Sequence, residues 1–388
     1  MHLGKTIFTQ VMKWVHPEQF HRCVARYKGN YKMSQFSCWE QFLAMGFAQM
    51  TFRESLADIE ICLRSRGQQL YHLGFRSSVA HSTLADANSV RDWRIYADLA
   101  QTLIRRARKL YAQEPLGVEL GQTIYALDST TIDLCLSLFP WARFRSTKAA
   151  VKLHTLLDVR GPIPTLITIS QGKQADVQIL DELIIEPGAF YVMDRGYVDF
   201  QRLYGFTLAS AFFVTRTKAR IQLNRLESRP VDRSVGLRSD HIVWLANPQS
   251  VFHYPERLRR VSYRDPENGK VLVFLTNNFD LPALVIAQLY KLRWRVELFF
   301  KWIKQNLRIK HFFGTSDNAV KTQVWIAVCV YVLVAILRKE LGSELSLSQM
   351  LQVLSVNVFE QVPLVELFAK TASQNEVLDS RNQLMLWN

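Results

Sequence analysis

The sequence predicts an α/β protein with helical ends, and three observations lead to this prediction. Residues 1–115 space their apolar side chains as helices do, whereas residues 116–215 contain short runs rich in Ile, Val, Thr and aromatic residues, which favour strands. A basic segment with further β-like runs, residues 216–265, interrupts these strands. Residues 266–315 contain one more strand and a long helix, and residues 316–388 return to a helical pattern.

The composition narrows the classes of protein that the chain could be. A length of 388 residues allows two or three domains, and 48% hydrophobic residues are enough for a substantial core, which excludes wholesale disorder. The formal net charge of +14 suits a polyanionic partner. Charge alone would allow a nucleic acid or an anionic membrane surface.

The N-terminal region is basic as well as helical. Apolar spacing predicts helices from Trp39 to Leu63 and from Trp93 to Leu110. The pair Ser82-Thr83 suits a helix N-cap, and a break at Asn88-Ser89 before a helix from about Val90 would give a helix-turn-helix. Ordinary packed helices with solvated basic faces explain the same pattern, so both interpretations stay open.

Two acidic residues follow apolar runs that have the character of buried strands. The run from Thr123 ends in Asp128 and is followed by the polar pair Ser129-Thr130, and the run from Ala189 ends in Asp194. An acid at the end of a buried strand projects from a rigid support, where a metal ion can reach it. One such residue is a weak signal, because many acids at strand ends only cap turns.

A third acid lies in the long helix predicted within residues 266–315. Read as one helix at about 100° per residue, four polar side chains share a stripe roughly 60° wide. These are Tyr290, Arg293, Glu297 and Lys304. The stripe presents one carboxylate beside two cations and a phenol. Carboxylates for a hard metal ion, with cations beside them for phosphate, are what phosphodiester chemistry requires.

The basic segment carries half of the net charge of the chain. Residues 216–264 hold eleven Lys or Arg against four acids, a net of seven positive charges. This density predicts a DNA-binding insertion, with Arg257, Arg259 and Arg260 as phosphate contacts. A basic loop that is merely solvated remains the alternative.

Two further patterns concern the location of the protein. The uncharged run Val324–Leu337 has fourteen residues, whereas a helix that spans a bilayer needs about 20. This length predicts a buried core helix rather than a membrane-spanning helix. Five cysteines include no C-x-x-C pair, and the N-terminus lacks an apolar signal-peptide segment. A reducing cytoplasm is expected.

Four sequence motifs together resemble the IS4 family of DDE transposases from bacterial insertion sequences. The family signature Y-x2-R-x3-E-x6-K is matched in full by Tyr290, Arg293, Glu297 and Lys304. The contexts Leu127–Thr130 and Met193–Tyr197 resemble those of the first two family acids, and Lys152–Asp158 resembles the second strand of an RNase H-like core. The resemblance spans about residues 120–315.

The resemblance implies an RNase H-like catalytic core interrupted by the β insertion. It implies that Asp128, Asp194 and Glu297 are catalytic and hold two Mg²⁺ ions, for which Mn²⁺ can substitute, with Asp128 shared between them. The enzyme would cut the ends of the element and join them to target DNA. Its expected partners are double-stranded DNA, as terminal inverted repeats and target, and a second copy of the chain in the DNA complex. It would be a bacterial cytoplasmic protein associated with the nucleoid.

Individual residues then receive expected roles. Arg293 and Lys304 are expected to hold phosphates, and Tyr290 to hydrogen-bond one. Trp294 either stacks on a displaced base or packs in the core. His154 is expected to have a structural role, because three acids already account for the metal ions.

Two competing functions remain. A nuclease of RNase H-like fold would cut DNA without joining it, yet such an enzyme needs neither the basic insertion nor the helical N-terminal region. A DNA-binding protein with an inactive core should have lost an acid or a flanking cation, and the chain has lost none of them.

Overall fold

The computed structural model describes residues 4–33, 35–118, 120–218, 221–306 and 312–369. The chain forms two compact units rather than five consecutive segments. The first, the helical unit, comprises the described parts of Met1–Tyr111, Leu134–Ala142 and Lys301–Asn388. The second, the sheet unit, comprises those of Ala112–Asp133 and Arg143–Phe300. The N-terminal and C-terminal helices, which lie far apart in sequence, therefore share one unit.

Twelve α-helices are present in the described part of the chain. They are α1 (Ile7–Met12), α2 (Pro17–Arg26), α3 (Cys38–Met50), α4 (Leu56–Arg64), α5 (His81–Val90), α6 (Arg94–Tyr111), α7 (Phe200–Leu208), α8 (Pro248–His253), α9 (Ala283–Leu292), α10 (Trp294–Asn306), α11 (Asp317–Glu340) and α12 (Leu347–Asn357). The first six and the last two belong to the helical unit.

Helix α11 forms the core of the helical unit. The Ser316 hydroxyl caps its N-terminus, and Arg338 and Lys339 lie in its last turn, where cations interact favourably with the helix dipole. The helix packs against α3, α5, α6 and α12. Its length and mean hydropathy would suffice to cross a membrane, but 94% of its most apolar window is buried inside the protein. The prediction of a buried core helix is confirmed.

The predicted break between α5 and α6 was misplaced. Helix α5 begins at His81, after Ala80, without a capping side chain, so the Ser82-Thr83 N-cap is wrong. It continues through Asn88, whose side-chain oxygen is buried and accepts a hydrogen bond of 2.8 Å from Gln41. Asn88 does not break the helix because its polar group is satisfied in the core rather than by the local backbone.

Ten β-strands make up a single sheet in the sheet unit. They are β1 (Ile124–Leu134), β2 (Arg143–Arg145), β3 (Lys148–Asp158), β4 (Ile163–Gln171), β5 (Phe190–Met193), β6 (Phe212–Arg216), β7 (Leu223–Arg229), β8 (Leu237–Leu245), β9 (Leu258–Arg264) and β10 (Val271–Thr276). The strand order is β2-β3-β1-β5-β6-β10-β9-β8-β7, and β4, which is outside this order, also pairs with β3.

The centre of this sheet has the RNase H-like order that the resemblance implies. Strands β1, β5 and β6 are parallel, and β3 and β4 form an antiparallel hairpin beside them. All four residues of β5 are buried, as expected of a central parallel strand covered on both faces. The insertion strands β7, β8 and β9 continue the same sheet through β10, which pairs antiparallel with β6.

Strand β1 is longer than the sequence suggested. The strand was expected to end at Asp128, before the polar pair Ser129-Thr130, but β1 runs unbroken from Ile124 to Leu134. The β-branched residues Thr130, Thr131 and Ile132 suit an extended backbone, which explains the continuation. Asp128 therefore lies within a strand rather than at its end.

Arg259 is not the exposed DNA contact that its sequence neighbourhood predicted. Its side chain is 2% exposed and forms two hydrogen bonds with the Asp240 carboxylate, at 2.9 and 2.7 Å. Its remaining nitrogen donates to the backbone oxygen of Leu281 at 2.6 Å. Arg259 thus links β9 to β8 and to the segment that precedes α9. Arg257, in contrast, is exposed, and Arg260 is half-buried.

Replacing Arg259 should destabilise the fold. We expect Arg259→Gln to lower the free energy of unfolding by about 3–5 kcal/mol, because it leaves the Asp240 carboxylate buried without its partner. Urea titration followed by circular dichroism measures this change. The neighbouring Arg257→Gln is the control and should stay within about 0.5 kcal/mol of the parent. Equal stability of the two variants would contradict a structural role for Arg259.

Candidate active site

Two of the three predicted acids are brought together by the parallel pairing of β1 and β5. Leu127 and Met193 are register partners, so Asp128 on β1 and Asp194, the first residue after β5, lie side by side. Strand β5 ends at Met193, whereas β1 continues past Asp128. The side chains remain partly open to solvent, 20% for Asp128 and 36% for Asp194.

The third acid stands on a helix that is interrupted, contrary to the prediction of one continuous helix. Helix α9 ends at Leu292 and α10 begins at Trp294, with Arg293 between them. The N–H groups of Arg293 and Val296 bond to carbonyls three residues earlier, which tightens the turn. The stripe of side chains calculated for a regular helix is therefore only approximate. The side chains of Tyr290, Arg293 and Glu297 nevertheless all lie in the candidate site.

The Arg293 guanidinium lies between two of the acids. Its Nη1 is 2.5 Å from Asp128 Oδ2, and its Nη2 is 2.5 Å from Glu297 Oε1. Its Nε is buried and has no hydrogen-bond partner within the described ranges. Arg293 thus joins β1 to α10 through two charge-assisted hydrogen bonds and keeps one donor unused.

The second acid, Asp194, has separate partners. The Tyr290 hydroxyl donates to Asp194 Oδ1 at 3.1 Å, and Arg216 Nη1, at the end of β6, lies 3.9 Å from the same oxygen. Burial raises the pKa of Tyr290 to about 12, so the phenol stays protonated and acts as a donor. Tyr290 was expected to bind phosphate, but its hydroxyl is directed at an acid of the site.

The acids influence each other electrostatically. Burial raises the pKa of Asp128 to about 6, and the charges of Glu297 and Asp194 add to this rise. The Arg293 guanidinium and the Ser129 N–H, which donates to Asp128 Oδ1 at 2.8 Å, oppose it. Asp128 is thus the acid on which the negative charges of the other two act.

The flanking residues have different surroundings. Trp294 is 59% exposed, which removes the core-packing interpretation and leaves its ring accessible. Lys304 lies on α10, seven residues after Glu297, and is half-buried in the part of that helix assigned to the helical unit. Arg216 is a cation beside the site that was not among the predicted site residues. Its position at the end of β6, the strand next to β5, could have indicated its role.

The donor set suits a hard divalent cation. All three acids offer oxygen ligands, which Mg²⁺ and Mn²⁺ prefer. Across the described ranges, no three His, Cys, Asp or Glu side chains stand close enough to hold a metal ion as they are placed. Arg293 contributes the positive charge between Asp128 and Glu297 instead. The residues fit a divalent cation if the guanidinium moves away from the carboxylates.

Comparison with known proteins shows which protein family the chain matches. The family model described as the transposase DDE domain matches residues 119–333, more than half of the chain and all three acids. A domain of unknown function, DUF4372, matches residues 3–76. The region between them holds α5 and α6.

Three relatives are named as transposases. The chain is 34% identical over 261 residues to y4zB of Sinorhizobium fredii, covering 65% of this chain and 70% of the relative. It is 32% identical to a protein of insertion sequence element IS5377 from Geobacillus stearothermophilus, covering 58% and 59%. It is 24% identical to a protein of element IS4SA from Synechocystis, covering 84% and 90%.

The bridging position of Arg293 can be tested without assaying any reaction. In EDTA, we expect Arg293→Gln to lower the free energy of unfolding by about 1–3 kcal/mol, because Asp128 and Glu297 lose a charged hydrogen-bond partner. Saturating Mn²⁺ should stabilise the variant more than the parent, because no guanidinium competes for the carboxylates. Urea titrations with and without Mn²⁺ measure both effects.

The control for this experiment is Arg202→Gln. Arg202 pairs with Asp181 and Asp199 rather than with an acid of the site, so its loss should change the response to Mn²⁺ little. An equal gain from Mn²⁺ in the parent and in Arg293→Gln would show that Arg293 does not compete with the ion.

Proposed function

The chain belongs to the DDE transposase family and acts in DNA transposition, and we propose that Asp128, Asp194 and Glu297 are its catalytic acids. The enzyme cuts the ends of an insertion sequence of the IS4 type and joins them to target DNA. The convergence of Asp128 and Glu297 on one guanidinium, with Asp194 beside Asp128, is the observation that supports this assignment most directly.

The family depends on divalent metal ions, and in this chain the three acids would hold two Mg²⁺ ions, with Mn²⁺ able to substitute. Bound ions would supply Lewis acidity, which activates an oxygen nucleophile and stabilises the leaving 3′-oxygen. Tyr290 holds Asp194 through its hydroxyl, and the Ser129 N–H holds Asp128. The groups that orient Asp128 and Asp194 therefore lie on β1 and α9.

The cations of the site act on the DNA backbone. Arg293, once released from the acids, can form a fork of two hydrogen bonds to a phosphate, and Lys304 offers a point charge. The exposed ring of Trp294 follows Arg293 directly and can stack on a base unpaired near the cut. Arg257 and Arg260 of the insertion contact duplex phosphates, whereas the buried Arg259 does not.

The partners follow from this activity. The substrate is double-stranded DNA that carries the terminal inverted repeats of the element, and the second substrate is the target duplex. Because an element has two ends that must be joined at one target, a homodimer in the DNA complex provides one active site for each end. The protein works in the bacterial cytoplasm at the nucleoid, where its substrate is found.

Loss of any catalytic acid should abolish cleavage. We expect Asp128→Asn, Asp194→Asn and Glu297→Gln each to lower strand cleavage at least about 1000-fold, because each removes a charge needed to hold a dication. Binding to end DNA should be nearly unchanged. The assay incubates the protein with DNA bearing the ends of its own element and Mg²⁺, and resolves nicked, hairpin and joined products.

Asp133→Asn is the matched control, since Asp133 is an exposed acid on the same strand as Asp128. It should cleave and join as the parent does. Parent-like cleavage by Asp128→Asn would remove that residue from the metal site. Cleaved products without joined ones, in the parent protein, would favour a nuclease over a transposase.

The insertion should govern the salt dependence of DNA binding. We expect Arg257→Gln/Arg260→Gln to reduce the log–log slope of affinity against salt by about 1.8, because each phosphate contact on duplex DNA contributes about 0.9. Fluorescence anisotropy at several salt concentrations measures the slope. The control Arg257→Lys/Arg260→Lys keeps both charges and should keep the slope. An unchanged slope in the glutamine variant would mean that this surface is only solvated.

A further inference from the structure

A second network of polar side chains is connected to Asp128 through the next residue on β1. Ser129 follows Asp128 on β1, and its N–H donates to Asp128 Oδ1 at 2.8 Å. The Ser129 hydroxyl donates in turn to Asp176 Oδ1 at 2.6 Å. Asp176 is the first residue of a short 3₁₀ segment, Asp176–Glu182, which follows β4. A fourth carboxylate is therefore connected to Asp128 through one residue.

Asp176 has a cation of its own. Lys152 Nζ on β3 lies 3.0 Å from Asp176 Oδ1 and also donates to the backbone oxygen of Gln174 at 2.8 Å. The Lys152 side chain is only 12% exposed. An ammonium group that is removed from water to this extent is costly unless it is paired, so Lys152 and Asp176 depend on each other.

His154 is the most deeply buried member of this network. It is fully buried, its Nε2 is 2.9 Å from Ser170 Oγ, and its Nδ1 lies 3.8 Å from Asp176 Oδ1. Burial lowers the pKa of His154 to about 4, so the ring is neutral and Lys152 is the cation that balances Asp176. Neither Lys152 nor Asp176 has a place in the metal site proposed above.

The network of Ser129, Asp176, Lys152 and His154 is also close in space to the catalytic acids. Burial raises the pKa of the Tyr197 hydroxyl, and the charges of Asp128 and Asp176 raise it further. Tyr197 is buried in the 3₁₀ turn that follows Asp194, and this turn packs against the 3₁₀ segment that begins at Asp176. Asp176 thus stands near the site without sharing the guanidinium that Asp128 and Glu297 share.

We propose that Asp176, balanced by Lys152, is a positioning residue for the transposase reaction. It anchors the Ser129 hydroxyl and so fixes the stretch of β1 whose N–H holds the Asp128 carboxylate. This anchoring matters because β1 continues past the end of its neighbour β5, so Ser129 lies beyond the last β1–β5 register pair, Leu127 and Met193. The inference rests on the proposed role of Asp128.

Changing either hydrogen-bonding partner should impair catalysis, because Ser129→Ala removes the donor and Asp176→Asn replaces a charged acceptor with a weaker neutral one. We expect Ser129→Ala and Asp176→Asn each to lower single-turnover cleavage of element-end DNA by about 10–100-fold, the range found for residues that orient metal ligands. Affinity for end DNA should stay within about twofold, so the loss falls on the rate rather than on binding. Mn²⁺ binding without DNA, measured by electron paramagnetic resonance, should weaken in both variants.

Two further variants separate positioning from a general structural effect. Ser129→Thr keeps the hydroxyl and should retain most of the activity. The double variant Ser129→Ala/Asp176→Asn should be no slower than the slower single variant, because Ser129→Ala already removes the contact that Asp176→Asn weakens. The control Asp181→Asn alters the same 3₁₀ segment, but Asp181 pairs with Arg202, so cleavage should be unchanged.

The outcomes distinguish this inference from the proposed function. Parent-like cleavage by Ser129→Ala and Asp176→Asn, with Asp128→Asn inactive, would overturn the positioning role alone. So would losses that multiply in the double variant, or an Asp181→Asn defect as large as that of Asp176→Asn. Cleavage by Asp128→Asn would instead remove the basis of both proposals.

Discussion

The repulsion among three neighbouring carboxylates is the constraint on which the site depends. Asp128, Asp194 and Glu297 are partly buried, and like charges in such surroundings repel more strongly than in water. Arg293 offsets this repulsion by contacting two of the acids, and it does so from the turn between α9 and α10. The same residue therefore holds two acids that lie on different elements, β1 and α10.

The sheet determines how accurately these groups are placed. The parallel register of β1 and β5 sets Asp128 beside Asp194, and a slip of one residue would turn one of the two acids to the opposite face. The insertion strands extend this sheet, and the Arg259–Asp240 pair ties them to the segment that precedes α9. The insertion, which the sequence predicted as a DNA-binding segment, is thus also part of the sheet that supports the site.

Buried charge in the sheet unit is balanced locally. Arg259 lies against Asp240, Lys152 against Asp176, and Arg293 against two acids of the site. Each pair contributes more to the placement of backbone elements than to net stability, because desolvation offsets most of the Coulomb attraction.

The sequence by itself determined the class of fold and the core helix α11, because these depend on periodicity. It also predicted the three acids, Asp128 and Asp194 from the apolar runs before them and Glu297 from the spacing of one motif. It did not reveal the break at Arg293, the full length of β1 or the burial of Arg259. Local spacing treats a helix as regular and every arginine in a basic segment as equivalent. Only the tertiary structure decided which arginine meets a carboxylate, because partners such as Asp240 and Arg259, or Asp128 and Arg293, meet through strand pairing and packing rather than through sequence proximity.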